Sequence, residues 1–199
     1  MKARIKKRLS GPERRLRLIR AAIDVFSREG YEGATVEGIA GAASVTKPVL
    51  YDHFSSKEEV FAAAIEQIRD GLLQSGKAAM ARESTPGKRL RAAISVFFDL
   101  VEDDPSAARV LLISSKAPPP IATICRRVQA DATIGIAQIM RSHSSSNAPE
   151  TDRQLFLKAE FTRKGMHGLA EWWLENSSVP RSEIEQVLFR YVKRGVGLR

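Results

Sequence analysis

The chain has 199 residues, 43% hydrophobic and 28% charged, with a formal net charge of +9, enough length for one or two domains around a real core. No apolar run approaches the roughly 18 residues of a membrane span, and no apolar stretch follows the basic N-terminus as a signal peptide would require. The single cysteine, Cys125, excludes an internal disulfide and fits a reducing cytoplasm.

Residues 1–57 carry 12 Lys and Arg against 6 acids. Most of that excess lies in the first 20 residues, where Lys2, Arg4, Lys6, Lys7, Arg8, Arg14, Arg15, Arg17 and Arg20 face only Glu13. The start of this segment, 1–10, reads either as a solvated arm or as one that follows a phosphate backbone. Leu16, Ile19, Ile23 and Phe26 predict a first helix that Gly30 ends. Thr35 is a good N-cap for a second, with Val36, Ile39, Ala40 and Ala43 at helical spacing. The run breaks at Ala43-Ser44-Val45, and Thr46 caps another short helix carrying Val49, Leu50 and Phe54. Ser56 with Glu59 three residues on predicts a capping box. It opens a long helix, about Lys57 to Gln74, marked by Phe61, Ala64, Ile65, Ile68 and Leu72. Two short helices joined by a turn of about three or four residues, the second armed with Lys47, Tyr51 and His53, form the pattern of a DNA-reading helix-turn-helix.

Thr85-Pro86 pairs an N-cap with proline at the first helical position and opens a helix with Leu90, Ala93, Ile94, Phe97 and Val101 on one face. Asp104-Pro105 repeats the signal for a shorter helix ending near Ser115. Pro118-Pro119-Pro120 reads as a stiff link. From Ile121, the positions Ile124, Cys125, Val128, Ala132, Ile136 and Ile139 predict another long helix, with Cys125 a buried small hydrophobe. A polar loop, His143 to Thr151, precedes two last helices at about 152–175 and 181–194. No segment shows strand alternation or an internal repeat, so an all-α fold of about nine helices is expected. Within the first of the last two helices, Gly165 and Gly168 each cost about 1 kcal/mol relative to alanine, so a close helix approach is expected in compensation. Both helices are apolar on more than one side, which predicts a homodimer interface built on Gly165, Gly168, Trp172, Val187, Leu188 and Tyr191. Trp172 and Trp173 as plain intrachain core is the alternative.

The stretch Thr35 to Glu59 resembles the signature of the N-terminal domain of the TetR family of transcriptional regulators. Thr35, Val36, Ile39, Ala40, Ala42, Val45, Thr46, Leu50, Tyr51, His53, Phe54, Ser56 and Lys57 carry the likeness. Ala21 to Thr35 is similar to the family's first helix and loop, and Gly168 to Asn176 to its tail. Two residues depart from the pattern: Ser44 stands where the family usually has glycine, and Pro48 where it often has glycine or a small residue. The resemblance implies a helix-turn-helix domain at 11–57 after the arm, and a helical effector-binding and dimerisation domain at 58–199. It implies a homodimer, closed by a four-helix bundle of the last helix pairs, on a palindromic site in double-stranded DNA, with recognition helices about 34–36 Å apart. Thr35, Thr46, Tyr51, His53 and Lys57 would hold phosphates, while Lys47 meets guanine and Pro48 and Val49 pack on a thymine methyl. Leu50 and Phe54 would face the core. The implied effector pocket lies among the middle helices, with Phe97, Phe98, Val101, Leu112, Cys125, Val128, Gln129 and Phe161 as candidates. That mostly apolar lining suits a lipophilic or aromatic ligand. Its entry would push the fourth helix and move the Lys57 end of the reading head.

His53, His143 and His167 sit in separate segments with no carboxylate or cysteine at ligand spacing, so no metal site and no cofactor are expected. No phosphate loop, nucleophile elbow or dinucleotide fingerprint is present. Three functions remain in competition: a ligand-released repressor, a TetR-like DNA-binding regulator without a small-molecule effector, and an all-helical enzyme or adaptor that keeps the motif unused. His167, on a glycine-flanked helix, is either a satisfied core residue or part of a pocket wall.

Overall fold

The computed structural model describes residues 10–113, 118–141 and 151–195; the basic arm up to residue 9 and nearly all of the 143–151 stretch lie outside the described residues. Among the described residues are nine helices and no strand. They are α1 (Gly11–Gly33), α2 (Val36–Ala42), α3 (Lys47–Tyr51), α4 (Lys57–Ala81), α5 (Pro86–Asp103), α6 (Pro105–Ile113), α7 (Pro119–Arg141), α8 (Asp152–Glu175) and α9 (Arg181–Gly195). The chain divides into two compact units, one running to Ala64 and the other starting at Ile65.

In the first unit, Ser10 caps α1 through a capping box. Its hydroxyl accepts from the Glu13 N–H, and its own N–H donates to the Glu13 carboxylate at 2.8 Å. Those hydrogen bonds hold the Glu13 carboxyl below its usual range. Ser10, counted with the arm from sequence, is thus the N-cap of α1. Gly30 adopts φ 70°, ψ 177° and breaks the α1 ladder, a left-handed position suited to glycine. The core gathers Phe26, Ile39, Leu50, Phe54, Val60 and Phe61, all buried. The Phe61 ring meets Phe26 and Tyr31 edge-on, with centroids 5.1 and 5.5 Å away. Because Val60, Phe61 and Ala64 belong to this core, the unit takes in two turns of α4 beyond Lys57.

The α2–α3 turn closes with the Val45 N–H donating to Ala40 O at 3.0 Å, and Ser44 takes the left-handed φ of 54°. Ser56 accepts from the Glu59 N–H as expected, but the Glu59 carboxylate accepts from the Ser55 N–H and hydroxyl, at 2.7 and 2.6 Å. The expected reciprocal box is thus displaced by one residue, with both Ser55 donors on the Glu59 carboxylate.

In the second unit α5 packs against α6, α8 and α9, and α7 against α8. Thr85 and Asp104 cap α5 and α6, and Thr151 with Gln154 forms a capping box on α8. Pro119 and Pro120 begin α7 and do not extend a link, since the first turn of a helix needs no N–H donor. Arg181 ties the start of α9 to α5, donating to Asp99 at 2.6 Å and Glu102 at 2.8 Å. The Trp173 indole donates to Val179 O at 2.9 Å, while its ring meets Phe98. Trp173 is therefore intrachain core. Among the described residues no helix is long and apolar enough to cross a membrane.

Candidate nucleic-acid interface and effector cavity

Thr35 ends its loop in extended backbone and accepts from the Gly38 N–H at 3.0 Å, which fixes the start of α2. Thr46 takes the same backbone conformation at the start of α3 with no side-chain capping bond, so its hydroxyl is left for another partner. Around these caps the side chains of Thr35, Thr46, Lys47, Pro48 and Tyr51 are exposed, Val49 and His53 are half-buried, and Leu50 and Phe54 are buried below. Lys47 pairs with Glu37 of α2 and lies over the Tyr51 ring, 5.8 Å from its centroid. The pairing raises the Lys47 ammonium and lowers the Glu37 carboxyl. Glu37 was not among the residues expected here; a carboxylate ten positions before a lysine in another helix carries no local signal.

Lys57 differs from expectation. Its ammonium donates to Tyr31 O at 2.9 Å and Ala34 O at 3.0 Å, with a longer contact to Glu32 O at 3.5 Å, and it sits over the Tyr31 ring. The orphan carbonyls at the end of α1 thus occupy the donors assigned to a phosphate. The Tyr31 hydroxyl donates to Glu58 at 2.7 Å; burial and this bond push it well above its usual value, and the bond lowers Glu58. Lys57 and its neighbour Glu58 are a joint between α1 and α4.

The second unit holds a partly open cavity of about 110 Å³. Its walls come from α4 (Arg69, Leu72, Leu73), α5 (Phe97), α6 (Leu111), α7 (Val128, Gln129, Ala132, Ile136) and α8 (Arg163, Met166, His167). A groove of about 600 Å³ along α4, α5 and α7 shares Leu72, Leu73, Phe97, Ala132 and Ile136 with it. Of the candidates from sequence, Phe97, Val128 and Gln129 line the cavity. Phe98, Val101 and Cys125 are buried elsewhere in the core, and burial pushes the Cys125 thiol up to about 11, leaving it unreactive. Leu111 takes the wall position expected of Leu112, one helical step away. Phe161 is 74% exposed, on the opposite side of α8.

His167 lines the cavity, the second of the two readings open to it from sequence, and Arg163 beside it was not expected there. The imidazole stacks on Phe97 at 5.6 Å and 11°, and its Nδ1 is buried without a hydrogen-bond partner. Burial, followed by the charge of Arg163, lowers it to about 4, so it is neutral near pH 7. Arg163 is buried; Nε donates to Thr133 at 3.0 Å and Nη2 to Glu160 at 2.7 Å. Their spacing of four along α8 was the available signal.

The expected interface residues divide. Tyr191 is 71% exposed, and Trp172, Val187, Leu157 and Phe161 are exposed as well. A Cβ built at Gly165 or Gly168 meets nothing within 4 Å, so no approach inside the chain explains either glycine. Leu188 is buried within its own chain and belongs to the core.

Residues 18–64 match the family model described as bacterial regulatory proteins, tetR family. The HTH-type transcriptional activator FasR of Mycolicibacterium smegmatis is 41% identical over 104 residues, which are 52% of this chain and 48% of FasR, so the match spans about half the length of that relative. The HTH-type transcriptional regulator TcmR of Streptomyces glaucescens is 28% identical over 79% of this chain and 72% of its own. The crystal structure of the transcriptional regulator FadR from Bacillus subtilis in complex with stearoyl-CoA superposes with a TM-score of 0.77 at 17% identity, covering 92% of this chain and 98% of the other. That likeness is one of fold.

Proposed function

We propose, from the premise that this chain belongs to the tetR family through its DNA-binding domain at residues 18–64, that it is a homodimeric repressor released from a palindromic operator by a small lipophilic ligand. The observation that carries the DNA reading is the exposed set Thr35, Thr46, Lys47, Pro48 and Tyr51 at the caps and along α3, with Lys47 linking α3 to Glu37 of α2. Hydroxyls and a phenol suit phosphates and set register, while Lys47, Pro48 and Val49 at the start of α3 meet base edges. Lys47 exchanges its exposed Glu37 partner for DNA, a small cost since surface ion pairs are worth about 0–1 kcal/mol. The apolar cavity and groove support a lipophilic effector, as does the stearoyl-CoA named in the FadR complex. Because α4 carries both Leu72 and Leu73 of the cavity wall and Lys57 of the α1 joint, a ligand favouring one arrangement of α4 biases the reading head. An activator at the same kind of site is the second reading, favoured by the name of FasR.

The test is fluorescence anisotropy on a selected operator and on unrelated DNA. Tyr51→Ala weakens both by a similar factor, whereas Lys47→Ala costs about 1–3 kcal/mol at the operator and narrows the gap between the two. Equal affinity of Tyr51→Ala and wild type at physiological salt would contradict the assignment.

A further inference from the structure

Leucine, phenylalanine, valine and isoleucine side chains line most of the cavity; its polar lining is Gln129 of α7, Arg69 of α4, whose guanidinium pairs with Asp70 and Asp131, and Arg163 and His167, one turn apart on α8. Two of the three guanidinium nitrogens of Arg163 are engaged by Thr133 and Glu160; Nη1 has no protein partner among the described residues. His167 Nδ1, in contrast to Nη1, is fully buried as well as unpaired. Leaving such an atom unmatched is costly, and a buried polar group ordinarily has a partner. In the tautomer with the proton on Nδ1, the neutral imidazole donates as the guanidinium does, so together they ask for an acceptor, and Arg163 favours one that carries negative charge. Glu160 on α8 already neutralises part of that charge, and Glu171 lies further along the helix; the Arg163 charge nevertheless acts on the imidazole more strongly than either acid does.

We infer that the ligand of this cavity is a small monocarboxylic acid, its carboxylate held by His167 Nδ1–H and Arg163 and its apolar body against Phe97, Leu72, Leu73 and Ile136. The inference rests on the effector reading above and sharpens it to a ligand class and an orientation: acid head at α8, tail toward the α4–α5–α7 groove, which adds about 600 Å³ along the same wall. A thioester or alcohol of the same body has no charge to offer Arg163. His167 also orients the ligand through its stack on Phe97, which fixes the ring plane beside the tail.

Isothermal titration of the full chain with decanoate and 4-phenylbutyrate, each against the alcohol of the same skeleton, reads the preference. At least one acid binds about tenfold or more tightly than its alcohol, the scale of one charge-assisted hydrogen bond. His167→Leu loses that preference while keeping the alcohol affinity and wild-type helicity, and His167→Asn, which retains a donor near the same place, restores most of it. Equal affinity of acid and alcohol, an unchanged preference in His167→Leu, or no saturation by either acid overturns the inference. The same ligands are added to the operator complex. Acid-selective binding that leaves DNA affinity unchanged supports the site and removes the effector reading; release by acid and alcohol alike keeps that reading and removes the carboxylate site.

Discussion

Ser44 carries a cost that a single substitution can expose. Its φ of 54° puts a side chain where L-residues lose about 1–2 kcal/mol, so Ser44→Gly is expected to stabilise the first unit by roughly 0.5–1 kcal/mol after the added freedom of the unfolded chain is subtracted. Chemical denaturation of the two proteins checks the sign. Lys57→Met leaves the carbonyls of Tyr31 and Ala34 without their donor and is expected to lower stability by about 1–2 kcal/mol. Unchanged stability with a salt slope reduced by about one would return Lys57 to the phosphate set. His167 gives a pH test. An ordinary histidine titrates near 6.5, whereas this one, held at about 4, binds its proton later in the folded state than in the unfolded chain. Its contribution to stability is therefore complete above pH 6.5 and falls as pH drops from 6.5 toward 4. Thermal melts at pH 7 and pH 5 should show a smaller loss for His167→Leu than for wild type; equal losses contradict the buried neutral assignment. At this scale the caps at Thr35 and Thr85 were legible, because a cap and its partner lie three residues apart. Lys57 was not, since its acceptors lie 23 to 26 residues back and meet it only once α1 and α4 pack.

The helices themselves were legible from periodicity and punctuation: the start of α8 at Asp152 and its end at Glu175 both follow from the sequence. Which face of α8 looks inward was not. Arg163, Met166 and His167 line the cavity, while Leu157, Phe161, Gly165, Gly168 and Trp172 follow another stripe at spacings of three and four. A helix apolar on two sides gives no sequence signal for which side meets its own chain, and so Phe161 was assigned to the wrong one. The outer stripe, with Tyr191 of α9, is the surface proposed for the dimer. Because a side chain at Gly165 meets nothing in its own chain, Gly165→Leu should leave the protomer folded. Across a two-fold interface the same change overpacks twice, at about 1–3 kcal/mol each time, and should drive the protein to monomers at low micromolar concentration. Sedimentation of this variant beside wild type decides it; a persistent dimer places the interface elsewhere.

For the molecule as a whole, the sequence motif marked where the reading head lies but not its outer limit. The first unit extends to Ala64 because α4 lends Val60, Phe61 and Ala64 to its core before entering the second unit. One helix thereby carries residues of both, the α1 joint at Lys57 and the cavity wall at Leu72 and Leu73. The pocket was legible as an apolar region among the middle helices but not in its chemistry, since its polar lining includes an Arg–His pair whose meaning depends on burial. Every regulatory step proposed for this chain depends on its reading a two-fold DNA site. The most direct measurement is selection of bound fragments by the purified protein from random double-stranded DNA, followed by sequencing of the retained pool. The account predicts enrichment of an inverted repeat whose half-site centres lie about one helical turn apart or slightly more; a pool without enrichment, or one enriched in a single half-site with no symmetric partner, would contradict it.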